Sequence, residues 1–236
     1  MTLKQFYDEA QIDLSVVASD TSEGRLLVLN HHTAPDCPLV WAVRMSMSIP
    51  LVWNEVIWKD GWGSYLGRPM KGHIIVDGGM LSNFPIELFI SDEPQVTRLM
   101  GPKQDVPVLG MLIDESLPVG PAERGILIDI DVKPGELKTV QRFKRLIDTM
   151  TGAHDKMAIE EFEHLVVRLP AAGYATTEFD MSDERREALV AAGERAVSAY
   201  FENPPAPRPI PRGMEAVESQ KVKKVADRIA AKILGF

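Results

Sequence analysis

Cysteine is almost missing from this 236-residue chain: Cys37 is the only one, which excludes an internal disulfide and suits a reducing compartment. Beside Pro38 that thiol reads as a small packed side chain rather than a nucleophile. No apolar run is long enough to span a bilayer. The first ten residues, Met1 to Ala10, carry acidic groups where a signal peptide would be hydrophobic. Positive charge is also in deficit, with 26 Lys and Arg against 34 Asp and Glu and a formal net charge of -8. Nucleic-acid binding needs concentrated positive charge, so no nucleic-acid partner is expected. A cytoplasmic protein is the expectation, with contact to a neutral or mixed lipid surface still open.

What is present is enough apolar sequence for one main domain, since a chain of this length buries roughly 70% of its unfolded surface. Asp13 to Ser19 and Arg25 to Asn30 read as two strands joined by the turn residues Thr21 to Gly24. Leu39 to Met47 reads as a helix with Val40, Val43 and Met47 on one face, ending before Pro50. Gly61 to Gly67 is a loop or hairpin. Val106 to Ile113 and Ile126 to Val132 are strand-like, Glu136 to Glu163 has helical spacing, and Leu165 to Leu169 is strand-like again before Pro170. Ser182 caps a helix with an acidic first turn. The alternation of strands and helices is that of a layered α/β fold.

Five prolines between Asn203 and Arg212 exclude regular helix, so residues 203–213 form a linker after a main domain at 1–202. Residues 214–236 space Val217, Val222, Val225, Ile229 and Ile233 as the stripe of an amphipathic helix. That helix either docks on the main domain or meets a membrane interface.

One stretch carries chemistry. Ile74, Ile75 and Val76 form a β-branched run that delivers Asp77 into Gly78-Gly79, a turn read as requiring positive φ at Gly78, and Pro85 marks the start of a following helix. Asp77 therefore sits where a strand ends, a position that often holds catalytic groups in α/β folds. Asn83 and Pro85 follow at short spacing.

With Asp77, Gly78, Gly79, Asn83 and Pro85 in place, the chain resembles the patatin-like phospholipase family. Three further stretches agree with it: Leu14 to Asp20, Ala42 to Pro50, and Gly173 to Asp180. The resemblance covers residues 1 to about 202. It implies a layered patatin-like α/β fold and acyl-ester hydrolysis by a serine–aspartate dyad, with Asp77 as the proton acceptor, Gly78 and Gly79 shaping its turn, and no cofactor or metal. The family's nucleophile lies in Gly-x-Ser-x-Gly, and no serine here has glycine two residues before and two after. On this comparison the chain starts at Met1 inside the catalytic domain, lacks the N-terminal strands and nucleophile elbow, and is inactive alone.

An aspartate with an ordinary pKa of about 3.9 is a weak base near neutrality, so Asp77 needs partial desolvation to serve. Other constellations are weaker. His31 and His32, read as a strand pair, point to opposite faces and do not chelate one metal. His154 and His164 lack His-Glu-x-x-His spacing. His73 lies about 13 Å from Asp77 along one strand. Arg44 braces a carbonyl or carboxylate near the site. Of the four tryptophans, Trp41 and Trp53 are assigned to the core, and Trp58 and Trp62 to the rim of an acyl cleft.

Two functions stay in view. One is a lipid acyl hydrolase of which this chain holds the aspartate half, acting on an acyl lipid or membrane surface. The other is a non-enzymatic subunit that works by binding a membrane, a protein partner or a second copy of itself.

Overall fold

The computed structural model describes residues 1–103, 106–120, 159–175, 178–203 and 215–235. The expected strand at 126–132 and nearly all of the expected helix at 136–163 lie outside them, as does the proline-rich stretch from 204. The described residues form a mixed α/β structure with several small sheets, in two compact units.

The first unit contains residues from Met1–Val106 and Ala216–Phe236. It opens with α1 (Leu3–Ala10), held by a capping box in which the Thr2 hydroxyl accepts from the Gln5 amide and the Gln5 side chain accepts from the Thr2 amide. Next come β1 (Val16–Asp20) and β2 (Arg25–Leu29), an antiparallel hairpin closed by Gly24 at φ +65. Then follow α2 (Leu39–Ser46), β3 (Val56–Ile57), the hairpin β4 (Ser64–Tyr65) and β5 (Arg68–Pro69), and β6 (Ile74–Asp77). The main sheet runs β2-β1-β6-β3 and is antiparallel throughout.

β2 is an edge strand, yet Leu26 to Leu29 are all buried. Its free edge is closed by side chains: the Val28 amide donates to the Tyr65 hydroxyl at 3.1 Å, and the Val28 carbonyl accepts from Thr33 Oγ1 at 2.5 Å. At Val28 the open side of the strand is thereby satisfied inside the unit. Leu27, Val28, Leu29, Ala18, Ile75, Met45, Trp58 and Met70 share one core. Each large side chain fully buried there contributes roughly 1.5–3 kcal/mol.

After β6 a single 3-10 turn (Gly78–Met80) leads to the short α3 (Glu87–Ile90) and to α4 (Pro94–Met100), with proline in its first turn. The C-terminal helix (Glu215–Leu234) docks in this unit. Ala226, Ile229 and Ala230 are buried, and Asp227 Oδ1 accepts from the Ser91 hydroxyl at 2.6 Å and the Asp92 amide at 3.0 Å. The small alanines set the centre of its buried face, one position away from the Val225 stripe read in the sequence.

The second unit holds β7 (Gly110–Pro118) and β8 (Val166–Ala172), a parallel pair, with α5 (Asp183–Glu202). β7 starts four residues later than expected. β8 continues through Pro170, where an edge position leaves no ladder donor wanting. Ser182 caps α5, its hydroxyl accepting from the Arg185 amide. Numbered in chain order, the C-terminal helix is α6.

Candidate functional site

Asp77 is the last residue of β6, paired across the sheet with Ala18 of β1. Its side chain turns into the 3-10 turn and accepts from the Gly79 amide at 2.7 Å. Burial raises the carboxyl above its ordinary 3.8, and the Gly79 hydrogen bond opposes that rise only in part. The outcome is a half-buried carboxylate with higher basicity than a surface aspartate, as a proton acceptor requires.

The glycines are there for space, not for φ. Neither Gly78 nor Gly79 has a positive φ, which corrects the expected left-handed turn. A Cβ on Gly78 would stand 2.7 Å from both the Val17 carbonyl oxygen and its Cγ2. One on Gly79 would stand 2.2 Å from Asn83 Oδ1 and 3.0 Å from Asp77 Oδ1. Gly78 lets the turn press against β1, and Gly79 leaves room for the Asp77 carboxylate beside Asn83.

A second strut reaches Asp77 from the end of α2. The Asp77 amide donates to the Ser48 carbonyl at 3.1 Å. Ser48 is fully buried, and its hydroxyl accepts from Arg44 Nη1 and donates to the Arg44 carbonyl at 2.5 Å. Arg44 Nη2 donates to the Asn54 carbonyl at 3.2 Å, and its guanidinium stacks 5.2 Å over Trp53. Arg44 thus braces backbone, as the sequence allowed.

The tryptophan assignment is reversed. Trp58 and Trp62 are buried and pack edge to face, whereas Trp41 and Trp53 are exposed. The Trp58 indole N–H donates to the Gly63 carbonyl at 3.1 Å, which explains why a ring in a glycine-rich loop lies inside. α2 buries Ala42 and Met45 toward the core, and the face that groups Val40, Val43 and Met47 is exposed, forming an apolar surface together with Leu51.

His31 and His32 are not on a strand but in the turn after β2, which removes the reason to keep them apart. Their rings lie 3.8 Å from centroid to centroid, and Asp13 reaches both. His73 Nδ1 is 2.8 Å from Asp20 Oδ2, and the fully buried Asp20 also accepts from Arg25 Nε. That pair, missed in the sequence, is made by the β1–β6 register, which sets Asp20 opposite Ile75. Cys37 is fully buried, and desolvation pushes its thiol up to about 12, so it is inert.

Residues 3–90 match the family model of patatin-like phospholipases, an interval that includes Asp77, Gly78, Gly79, Asn83, Pro85 and the Arg44 to Ser48 strut. The Gly173 to Asp180 stretch falls outside the match. The chain is 29% identical over 206 residues to the uncharacterized protein YqhO of Bacillus subtilis, an alignment covering 84% of this chain and 60% of that protein. The chain thus spans about 60% of the length of this curated relative. No solved structure matches.

Proposed function

We propose, on the premise that residues 3–90 are a patatin-like phospholipase segment, that Asp77 is the proton acceptor of a lipid acyl hydrolase whose nucleophilic serine lies outside these 236 residues. The observation that carries this reading is the Asp77 carboxylate itself, placed at a strand end, half-buried, raised in pKa, and given room by Gly79. In the dyad, the serine hydroxyl attacks the ester carbonyl as its proton passes to Asp77. The tetrahedral intermediate then collapses to an acyl-enzyme, and the proton held on Asp77 leaves with the alcohol. Water, deprotonated by the same carboxylate, attacks the acyl carbonyl, the C–Oγ bond breaks, and the proton on Asp77 returns to the serine oxygen as the fatty acid leaves. The substrate is an acyl ester presented at a lipid surface, so the protein works at the membrane periphery. No described helix is long and apolar enough to cross a membrane.

A fluorophosphonate probe and a short-chain ester test the proposal. The chain alone should give neither labelling nor turnover. Expressed with the coding sequence that adjoins it in its genome, it should give one labelled serine, in a Gly-x-Ser-x-Gly context, and ester hydrolysis. Turnover by the 236 residues alone would overturn it.

The exposed apolar face of α2 favours a second reading, in which the chain acts by binding. Here Val40, Val43 and Met47 meet a protein partner or a second copy, and no ester is hydrolysed in any context. Absence of labelling in the extended protein, together with a stable complex, would select it.

A further inference from the structure

A second polar constellation lies at the same end of the main sheet as Asp77, on the opposite side of the hairpin turn at Thr21 to Gly24. Asp13 precedes β1, and His31 and His32 follow β2. One ligand atom from each of the three lies within 4.8 Å of the others. Asp13 Oδ1 is 3.3 Å from His31 Nδ1, and Asp13 Oδ2 is 3.9 Å from His32 Nε2.

These atoms are not simply hydrogen-bonded to one another. The His31 side chain is only 9% exposed, and its Nδ1 is a buried atom outside hydrogen-bonding geometry with Asp13 and without any hydrogen-bond partner. A buried ring nitrogen left in that state is unfavourable unless something else fills its lone pair.

The cluster is held in place by buried and half-buried neighbours. Asn30 is fully buried. Its Oδ1 accepts from the His32 amide at 2.9 Å and the Thr33 amide at 3.0 Å, and its Nδ2 donates to Ser15 Oγ at 2.9 Å and the Leu99 carbonyl at 2.8 Å. The turn carrying both histidines is therefore pinned to the Ser15 chain that carries Asp13. Tyr7 of α1 stacks flat on His31, with ring centroids 3.7 Å apart and an interplanar angle of 5°. Gly101 closes the set, since a Cβ there would stand 2.7 Å from His32 Nε2.

We propose that Asp13, His31 Nδ1 and His32 Nε2 form a binding site for a first-row divalent cation, with Zn2+ the best fit. Four ligands at about 2.0–2.1 Å in a tetrahedron stand roughly 3.3–3.4 Å apart; here one Asp13 oxygen is 3.3 Å from His31 Nδ1, the other is 3.9 Å from His32 Nε2, and one donor atom of each residue lies within 4.8 Å of the others, so small side-chain rotations close the set. Two imidazoles and one carboxylate are the donors such a cation takes, and water completes the set. The ion ties the α1–β1 link to the β2 turn.

The test uses the full chain, stripped with a chelator and titrated with Zn2+ against a chromophoric competitor, and separately with Co2+ followed by visible d–d absorption. Asp13→Asn and His32→Gln are made because both side chains are partly exposed; His164→Gln is the control. One equivalent should bind to the parent and to His164→Gln, with affinity at least about tenfold weaker in each of the other two. Zn2+ should raise the melting temperature of the parent but not of either variant measured against its own metal-free form, which also covers a variant that melts early. No stoichiometric binding by the parent, or parental affinity in Asp13→Asn or His32→Gln, overturns the proposal.

Discussion

The Asp77 amide is bound to the Ser48 carbonyl at 3.1 Å, so the end of β6 and the end of α2 move together. Through that bond the Arg44 guanidinium, which grips Ser48 and Asn54, acts on the position of the Asp77 backbone without touching its carboxylate.

Replacing Asp77 with Asn should separate stability from catalysis. Because burial raises the folded-state pKa above the ordinary 3.8, the folded state binds more protons there, and ionised Asp77 lowers stability at neutral pH. Asp77→Asn should therefore melt higher than the parent at pH 7, and this advantage should disappear as pH falls below 3.8, where both forms are uncharged. Melting curves across that range check it. In the longer hydrolase proposed above, the same substitution should lower kcat by about 100-fold or more with little change in KM.

Alanine at the two glycines should fail in different ways. At Gly78 the new Cβ meets the backbone carbonyl of Val17, which cannot yield without moving β1, so a loss of about 1–3 kcal/mol is expected in urea unfolding. At Gly79 it meets the tip of Asn83 and the Asp77 carboxylate. Side chains can swing aside, so stability should fall less and ester turnover more.

Ser48→Ala removes the hydroxyl that both accepts from and donates to Arg44. Leaving those partners unsatisfied should cost about 1–2 kcal/mol. Arg44→Met keeps much of the packing on Trp53 but frees the Asn54 carbonyl, and it should reduce turnover in the extended protein with KM nearly unchanged. A parental kcat in Arg44→Met would show that the strut does not govern Asp77.

The outward face of α2 should make the isolated chain self-associate. Val40 is 70% exposed and Val43 43%. Light scattering should find oligomers at micromolar concentration, and Val40→Lys with Val43→Gln should shift them to monomer while changing stability by no more than about 0.5 kcal/mol per site. A compact parental monomer would count against an unmet surface on this helix.

Much of the frame was legible because it depends on neighbours in sequence. The β1–β2 hairpin, the turn at Gly61 to Gly67, the Ser182 cap and the strand into Asp77 follow from β-branched runs, turn residues and capping chemistry that act over a few positions. α1 is marked in the sequence only by Thr2-x-x-Gln5, a capping-box signature, because eight residues carry too short an apolar stripe to stand out.

The sequence by itself determined where Asp77 ends its strand and which segments fold as units of helix or strand, since spacing and local backbone preference decide both. Tertiary structure alone decided which face of α2 and which tryptophans lie inside, because an amphipathic pattern does not say which neighbour arrives to cover it. It decided as well that Gly78 and Gly79 answer to crowding by Val17 and Asn83 rather than to φ. And it brought Asp13, residues apart in the chain, onto His31 and His32, because a hairpin returns its two ends to the same place whatever lies between them.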